Sequence, residues 1–414
     1  MTDAIAVKGL RALPYYLGGF LGPFGTTIIV PMLPELREHF DVDSSAISWG
    51  FSAYLFPMAA FLLVSGTIGE RFGRRKVLRI SVASYVGASI LVSMAPTLGL
   101  FLAARAIQGV GNAFITPLLI AGLADVTPEA QLGRRLGLYS SFQAAGGGMA
   151  PFAGGLAAAL DWRLAFWGTA AVATIILAFP PPGERRVGGD RPPIRPLVSK
   201  RLVILGLGAL AAAAGPIGAG ILIGLKSRDV LGMDPTTAGL LLASGNFGAM
   251  LLGPLFGRLI DRYGARVCGI GATMTISLLI AAQSTTDTVA STAVLFCATG
   301  SLFGFLVAVL QKVGASIVPE NRGGALSAVL AFRFIGHAIG PLLWVPVFSR
   351  SVSAAFLGSA ALGVLTIAAI AMAVPGHTRS GTPAVAAGAL GGVASTKNNM
   401  PAPASSARIV KPKR

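Results

Sequence analysis

The chain has 414 residues, of which 54% are hydrophobic and only 12% charged, and it carries a formal net charge of +17. A soluble domain carries roughly 25% charged residues, so this composition cannot clothe a water-soluble surface, and the basic balance points to membrane orientation rather than to nucleic acid. The two cysteines, Cys268 and Cys297, both fall in apolar runs and exclude a disulfide framework. Neither has neighbours with metal-ligand spacing, so no metal and no cofactor is expected.

An α-helix needs about 20 apolar residues to cross roughly 30 Å of hydrocarbon. Runs of that length predict an all-α, polytopic membrane protein with spans at 13–33, 46–66, 77–95, 98–124, 136–159, 164–181, 202–224, 237–257, 267–285, 289–311, 324–347 and 352–374. Lys8 and Arg11 precede the first run, whose length and flanks fit a first span better than a cleavable signal. The predicted organisation is an N-terminal six-helix half (1–181), a Pro-rich basic linker (182–201), a C-terminal six-helix half (202–374) and a basic tail (375–414) whose Ala, Gly, Ser and Pro read as disordered. With the N-terminus in the cytoplasm, roughly 26 of the 33 Lys and Arg lie on the inner side and about five on the outer side. The first outer loop instead carries Glu35, Glu38, Asp41 and Asp43. Both termini are therefore expected to be cytoplasmic.

After the second span comes Gly66-xxx-Glu70-Arg71-x-Gly73-Arg74-Arg75-Lys76. Glycine permits a tight turn, a carboxylate suits the N-terminal end of a neighbouring helix, and the arginines can pair with that carboxylate or with lipid phosphates. The same pattern returns as Gly257-xxx-Asp261-Arg262-Tyr263-Gly264-Ala-Arg266, at an offset of about 191 residues. Span four carries Arg105, Gln108, Asn112 and Thr116 on one helical face. A charge in hydrocarbon is costly, so Arg105 either faces a cavity or partner or snorkels from about 10 Å to the headgroups. Span five holds Gly146, Ala150, Pro151, Gly154 and Gly155; Gly336, Gly340 and Pro341 repeat part of it at nearly the same offset. Small residues let helix backbones meet, and proline removes a helix hydrogen bond. Asp161-Trp162-Arg163 closes the span with an interfacial aromatic. Arg333 lies about 15 Å into span eleven, with His337 and Trp344 on much the same face. It reads as cavity-lining, or else as a pin between helices through backbone carbonyls. Gln143, Asn246 and Gln311 are further polar groups in or near the spans.

With these motifs in hand, the chain resembles a major facilitator superfamily transporter over residues 13–374. The loop after span two is similar to the family's signature there, with Glu70 where Asp is usual, and Arg105-xx-Gln108-Gly109 is similar to the family's span-four pattern. Span five resembles the motif of the drug:proton antiporter (multidrug efflux) branch, with Ala150 in place of one glycine. The resemblance implies two pseudo-symmetric six-helix bundles that rock about a midplane site. It implies a cytoplasmic latch built from Gly66, Glu70, Arg71, Gly73, Arg74 and Arg75 with Asp261, Arg262, Gly264 and Arg266, and a bend in span five that governs the rocking. It further implies proton-coupled efflux of a small molecule by a monomer in a bacterial cytoplasmic membrane, with lipid and protons as the other partners.

The first span reads Gly22-Pro23-Phe24-Gly25-Thr26-Thr27-Ile28 and holds no carboxylate, and no Asp or Glu lies deep in any span. Arg105 and Arg333 would repel a lipophilic cation, so a neutral, zwitterionic or anionic substrate is expected. Asp125, His337, Glu70 and the outer acids are the groups available to titrate. An uptake permease of the same fold is the nearest alternative. A membrane enzyme is disfavoured by three scattered histidines (His39, His337, His377), and a nucleotide-driven pump by the lack of a phosphate-binding glycine loop. A transporter-like sensor would need a signalling domain larger than the tail.

Overall fold

A computed structural model describes residues 13–179, 198–216 and 218–374, without the side chains of some helical residues, Glu70 among them. The linker expectation falls almost wholly outside the described residues, and the tail expectation entirely so.

The described residues are helical throughout, with no strand. The first half comprises α1 (Leu13–Thr27), α2 (Leu33–Phe40), α3 (Ser44–Phe72), α4 (Arg74–Ser93), α5 (Leu98–Asp125), α6 (Glu129–Leu160) and α7 (Arg163–Ala178). The second comprises α8 (Lys200–Ala214), α9 (Gly220–Leu225), α10 (Pro235–Tyr263), α11 (Ala265–Ala282), α12 (Val289–Ile317), α13 (Arg322–Phe348), α14 (Val352–Ala361) and α15 (Gly363–Ala373). Joining the interrupted pairs α1/α2, α8/α9 and α14/α15 leaves twelve rods among the described residues. Among the described residues, eight stretches are long and apolar enough to cross a membrane on length and composition alone. The burial pattern is that of a protein in lipid: Leu278, Val294, Val364 and Met372 point outward, while arginine, glutamine and serine side chains lie inside.

Three interruptions were hidden inside apolar runs, the first after Thr27. Span seven breaks at Gly215-Pro216 between α8 and α9, where proline has no N–H to continue the ladder. The Trp344 indole N–H reaches the freed Ala214 carbonyl at 2.7 Å. Beyond α9, residues Lys226–Val230 form a π-turn. The buried Lys226 ammonium fixes this turn by donating to the Gln283 carbonyl (2.6 Å) and to both the carbonyl and hydroxyl of Thr286 (2.5 and 2.7 Å). The twelfth rod breaks at Leu362.

The repeat read in the sequence is carried by the backbone. Gly73 and Gly264 each end one helix and start the next, with φ of +91° and +80°. Asp43 and Asp234 each cap a long helix, accepting from Ala46 N at 2.6 Å and Thr237 N at 3.0 Å. Thr97 and Thr288 cap α5 and α12. Gly109 sits where a Cβ would stand 2.0 Å from the Tyr54 carbonyl oxygen, and its counterpart Gly300 where a Cβ would stand 2.2 Å from the Gly245 carbonyl oxygen. All these pairs share the offset of about 191 residues, so each half builds its α3/α5 or α10/α12 contact from the same device.

Candidate functional site

The span-five glycines have two separate tasks. A Cβ on Gly146 or Gly154 would lie 2.1 Å from the carbonyl oxygen of Phe20 or Ile28, so that face of α6 meets the backbone of α1 in the same half. Gly336 likewise meets the Leu210 carbonyl of α8 (2.2 Å), and Gly340 the Ala214 carbonyl (3.1 Å). Gly155 differs: its Cβ would lie 2.2 Å from the Pro235 carbonyl oxygen of α10, across the boundary between the halves. The contact is reciprocal, since a Cβ on Gly239 would lie 2.4 Å from the Pro151 carbonyl oxygen. Ala150 is fully buried beside it. Deeper along the same pair of helices, Asn246 Nδ2 donates to the Gly147 carbonyl at 3.3 Å. On the opposite side of the molecule, Ser52 on α3 donates to the Ala338 carbonyl on α13 at 2.6 Å.

These crossings are joined at the α2 end by charge. Arg228, on the π-turn, pairs with Glu35 on α2. Arg37 donates to both oxygens of Asp229 at 3.4 Å and to the Ser44 hydroxyl at 2.9 Å. The Glu35 and Arg228 side chains are only 21% and 12% exposed, so this pair is less screened than a surface one. Sequence reading noted Glu35 as an outer acid but gave it no partner. The signal was present in the repeat: Arg37-Glu38 and Arg228-Asp229 are the same basic–acidic dipeptide, one per half, at the common offset. Near a two-fold axis, each arginine then finds a carboxylate of the other half.

At the Gly73 end, the ion pairs among the described residues stay within a half. Arg74 pairs with Asp125 at the end of α5, and Asp261 with Lys312 on α12 at 2.5 Å. Both link residues 51 apart, with the charges exchanged between loop and helix. Arg71 lies over Phe72 and Arg262 over Tyr263, with 5.5 and 5.4 Å from guanidinium carbon to ring centroid. Arg75 is exposed and Arg266 partly so. Gly73 and Gly264 are required by their left-handed φ, but no atom lies within 4 Å of a Cβ on Gly66. Close helix approach, expected of Gly66 from sequence, is not used in this conformation. The Glu70 side chain lies outside the described residues.

The structure separates the two intramembrane arginines. Arg105 is fully buried inside the first half. Its Nε donates to the Gly50 carbonyl (3.1 Å), both Nη atoms donate to the Gly25 carbonyl (3.2 Å), and Nη1 also donates to Gln108 Oε1 (2.8 Å). The guanidinium stacks over Tyr54 at 4.3 Å. Gln108 passes the chain on to the Ser89 hydroxyl at 2.8 Å, and Asn112 donates to the Gly22 carbonyl at 3.3 Å. The expectation that Arg105, Gln108 and Asn112 face an aqueous cavity is therefore corrected, and so is the snorkelling alternative: these groups stitch α1, α3, α4 and α5 together. Gly25 makes room for this, since its Cβ would stand 2.2 Å from the Tyr85 hydroxyl.

Arg333 is the opposite case. It is half-buried on α13, its Nε is shielded from solvent, and no described protein group accepts a hydrogen bond from it. Its one contact of note is the Phe334 ring, 5.2 Å from the guanidinium carbon. His337, one turn on, meets the Phe303 ring of α12 edge-on at 6.4 Å. Gln143 is half-buried on α6, the helix that matches α13 in the repeat. Of the polar residues singled out in the sequence, Gln143, Arg333 and His337 are described at mid-span outside the Arg105 network, and Asn246 lies at the crossing of the halves.

The family model for the Major Facilitator Superfamily matches residues 15–341 and 205–411. The chain is 23% identical over 392 residues to the multidrug resistance protein Stp of Mycobacterium tuberculosis, covering 78% of this chain and 73% of Stp. It is 32% identical over 177 residues to the multidrug transporter AQR1 of Candida glabrata, covering 42% of this chain but only 30% of that protein's length. The drug efflux pump JefA of M. tuberculosis is 31% identical over 159 residues, 38% of this chain and 31% of JefA. Among solved structures, the nucleoside transporter NupG superposes with a TM-score of 0.70 at 14% identity, covering 88% of this chain and 99% of that one. A D-xylose–proton symporter gives 0.67 at 17% identity, covering 88% and 97%. With twelve rods in two repeated sets, backbone-level pseudo-symmetry and a family model that spans nearly the whole chain, the protein belongs to the major facilitator superfamily of membrane transporters.

Proposed function

We propose that the protein is a secondary active transporter that exports a small neutral, zwitterionic or anionic organic compound in exchange for protons, by alternating access, from a bacterial cytoplasmic membrane. In this reading both termini are cytoplasmic, the α2 end faces outward, and the chain acts as a monomer. The observation that carries it is the asymmetry of the ion pairs among the described residues: at the α2 end they join the halves, and at the Gly73 end they stay within each half. That is the arrangement of a carrier closed outside and open inside. The latch residues Gly66, Glu70, Arg71, Gly73, Arg74 and Arg75, with Asp261, Arg262, Gly264 and Arg266, come together when the inner side closes; Gly66, with open space beside it here, supplies the close approach in that state. Names borne by Stp and JefA support export. Rates of solute movement in right-side-out against inverted vesicles decide between export and the uptake alternative.

The outer lock sets a testable energy. An ion pair of this partial burial is worth about 1 kcal/mol or somewhat more. Glu35→Gln, which mimics protonation, should raise the outward-open population about five- to tenfold relative to the inward-open one. Labelling of a cysteine introduced at Val230, half exposed at the crevice mouth, reads that shift. The exchange Glu35→Arg with Arg228→Glu should restore the wild-type labelling rate, whereas either single change should not.

Protons enter this scheme through carboxylates whose charge state alters an inter-half contact. Glu35 qualifies on the outer side, whereas Asp125 is held by Arg74 within one half. Protonation of Glu35 from outside removes the negative partner of Arg228 and weakens the lock, so acid on the outer face favours outward opening. A lock insensitive to outer pH between neutral and mildly acid conditions would remove Glu35 from coupling.

A further inference from the structure

Resting on the transport reading above, we propose that Arg333 is an anion receptor and that the site takes an amphipathic organic carboxylate, its charged group on the guanidinium and its apolar body against the aromatic groups beside it. Arg105 provides the internal standard. It shows what this fold does with a guanidinium whose task is structural: donors to two backbone carbonyls and a glutamine, an aromatic face beneath it, and full burial. Arg333, farther from either end of its helix than Arg105 is from the start of α5, has none of those acceptors among the described residues.

Among the described residues no acidic side chain forms an ion pair with it. The helices packed against α13 include α3, α8, α12 and α14. Together they contain a single acidic residue, Glu70, which lies at the far end of α3, while Arg333 is near mid-span. A guanidinium cannot shed its charge in a protein, and five N–H donors in a planar fork match a carboxylate two at a time.

Other polar and small residues of α13 are committed to neighbouring helices. Gly336 and Gly340 pack on α8, and the Ala338 carbonyl takes the Ser52 hydroxyl from α3. Trp344 is held by the Ala214 carbonyl. His337, on the same edge as Arg333, turns toward Phe303 of α12. The Phe334 ring lies 5.2 Å from the guanidinium carbon, and one turn along α13 the His337 and Phe303 rings meet edge-on, so flat apolar or weakly polar surface is available on this part of α13 for the aromatic body of a ligand with one charged end. Gln143, the repeat counterpart across the molecule, is neutral, so the site carries its positive charge on one side only.

The test uses three flat bicyclic probes of nearly equal size: 2-naphthoate, 2-naphthamide and N-methylquinolinium. Binding to the purified full chain in detergent is followed by quenching of intrinsic tryptophan fluorescence and checked by calorimetry. The expected order is naphthoate tightest, the amide weaker and the cation weakest. Arg333→Gln should weaken naphthoate at least about tenfold and leave the amide nearly unchanged. Arg333→Lys should recover part of the loss, because it keeps the charge and loses the fork. Equal binding of carboxylate and amide, tight binding of the cation, or naphthoate binding that survives Arg333→Gln would each overturn the proposal. Naphthoate binding that depends on Arg333 without any naphthoate movement in proteoliposomes would leave the receptor standing and count against the transport reading instead.

Discussion

Arg105→Ala is expected to lower the stability of the folded protein in detergent by about 3 kcal/mol, while Arg333→Ala changes it by less than about 0.5 kcal/mol. The first change leaves the carbonyls of Gly25 and Gly50 and the amide oxygen of Gln108 without their buried donors and removes the cation from the Tyr54 face. Hydrogen bonds within membrane bundles average about 0.6 kcal/mol each, and a desolvated cation–π contact contributes about 1–2 kcal/mol more. The second change removes a side chain to which no described protein group is hydrogen-bonded, so little folding free energy goes with it. Arg105→Lys should fall between, because one ammonium cannot reach Gly25, Gly50 and Gln108 together. Thermal loss of the monodisperse peak in size-exclusion chromatography reads the difference. An Arg105→Ala protein that melts like wild type yet loses solute binding would return Arg105 to the transport pathway.

Gly155→Val is expected to reduce transport at least about a hundredfold with the protein still inserted and folded. The new side chain would fall 2.2 Å from the Pro235 carbonyl oxygen, which belongs to the backbone of the other half and has little freedom to retreat. The halves would then be held apart at the α2 end, and the inward-open state would be lost from the cycle. Gly239→Val meets the Pro151 carbonyl oxygen from the other side and should behave alike. Gly146→Val strikes the Phe20 carbonyl oxygen within one half and should instead impair folding. Gly168→Val, with no atom within 4 Å of its Cβ, should do neither. Initial transport rates in proteoliposomes at matched protein content separate these outcomes; Gly155→Val at wild-type rate would mean that the α6/α10 contact is not used in turnover.

The span pattern and the duplication were legible because both rest on simple physics. Lipid requires long apolar helices, and a duplicated half repeats its special backbone positions, as Gly73 with Gly264 and Gly146 with Gly336 show. The role of Arg105 was not legible from its own helix. A polar stripe looks the same whether it faces water or three neighbouring helices, and what decided the matter was Gly25 and Gly50 on other helices, whose exposed carbonyls receive the guanidinium. The outer lock was missed because Glu35 and Arg228 are 193 residues apart, and spacing says nothing about such a pair. Folding the sequence on its own repeat, which places Arg37-Glu38 on Arg228-Asp229, points to the Arg37–Asp229 contact but pairs Arg228 with Glu38 instead of Glu35. The break after Ala214 was masked by the hydrophobicity around Gly215-Pro216, although that dipeptide is a strong breaker in any context.

Pulsed electron–electron spectroscopy on two spin-labelled pairs tests alternating access most directly. One pair, Glu38 with Val230, spans the halves at the α2 end; the other, Phe72 with Tyr263, spans them at the Gly73 end, and Cys268 and Cys297 are replaced by serine in both. When a transported solute or a pH step is applied, the two distances should change in opposite senses, the Glu38–Val230 distance growing as the Phe72–Tyr263 distance shrinks. Two distances that stay fixed, or that lengthen together, in a protein shown to transport would contradict the rocking of two halves about a shared site.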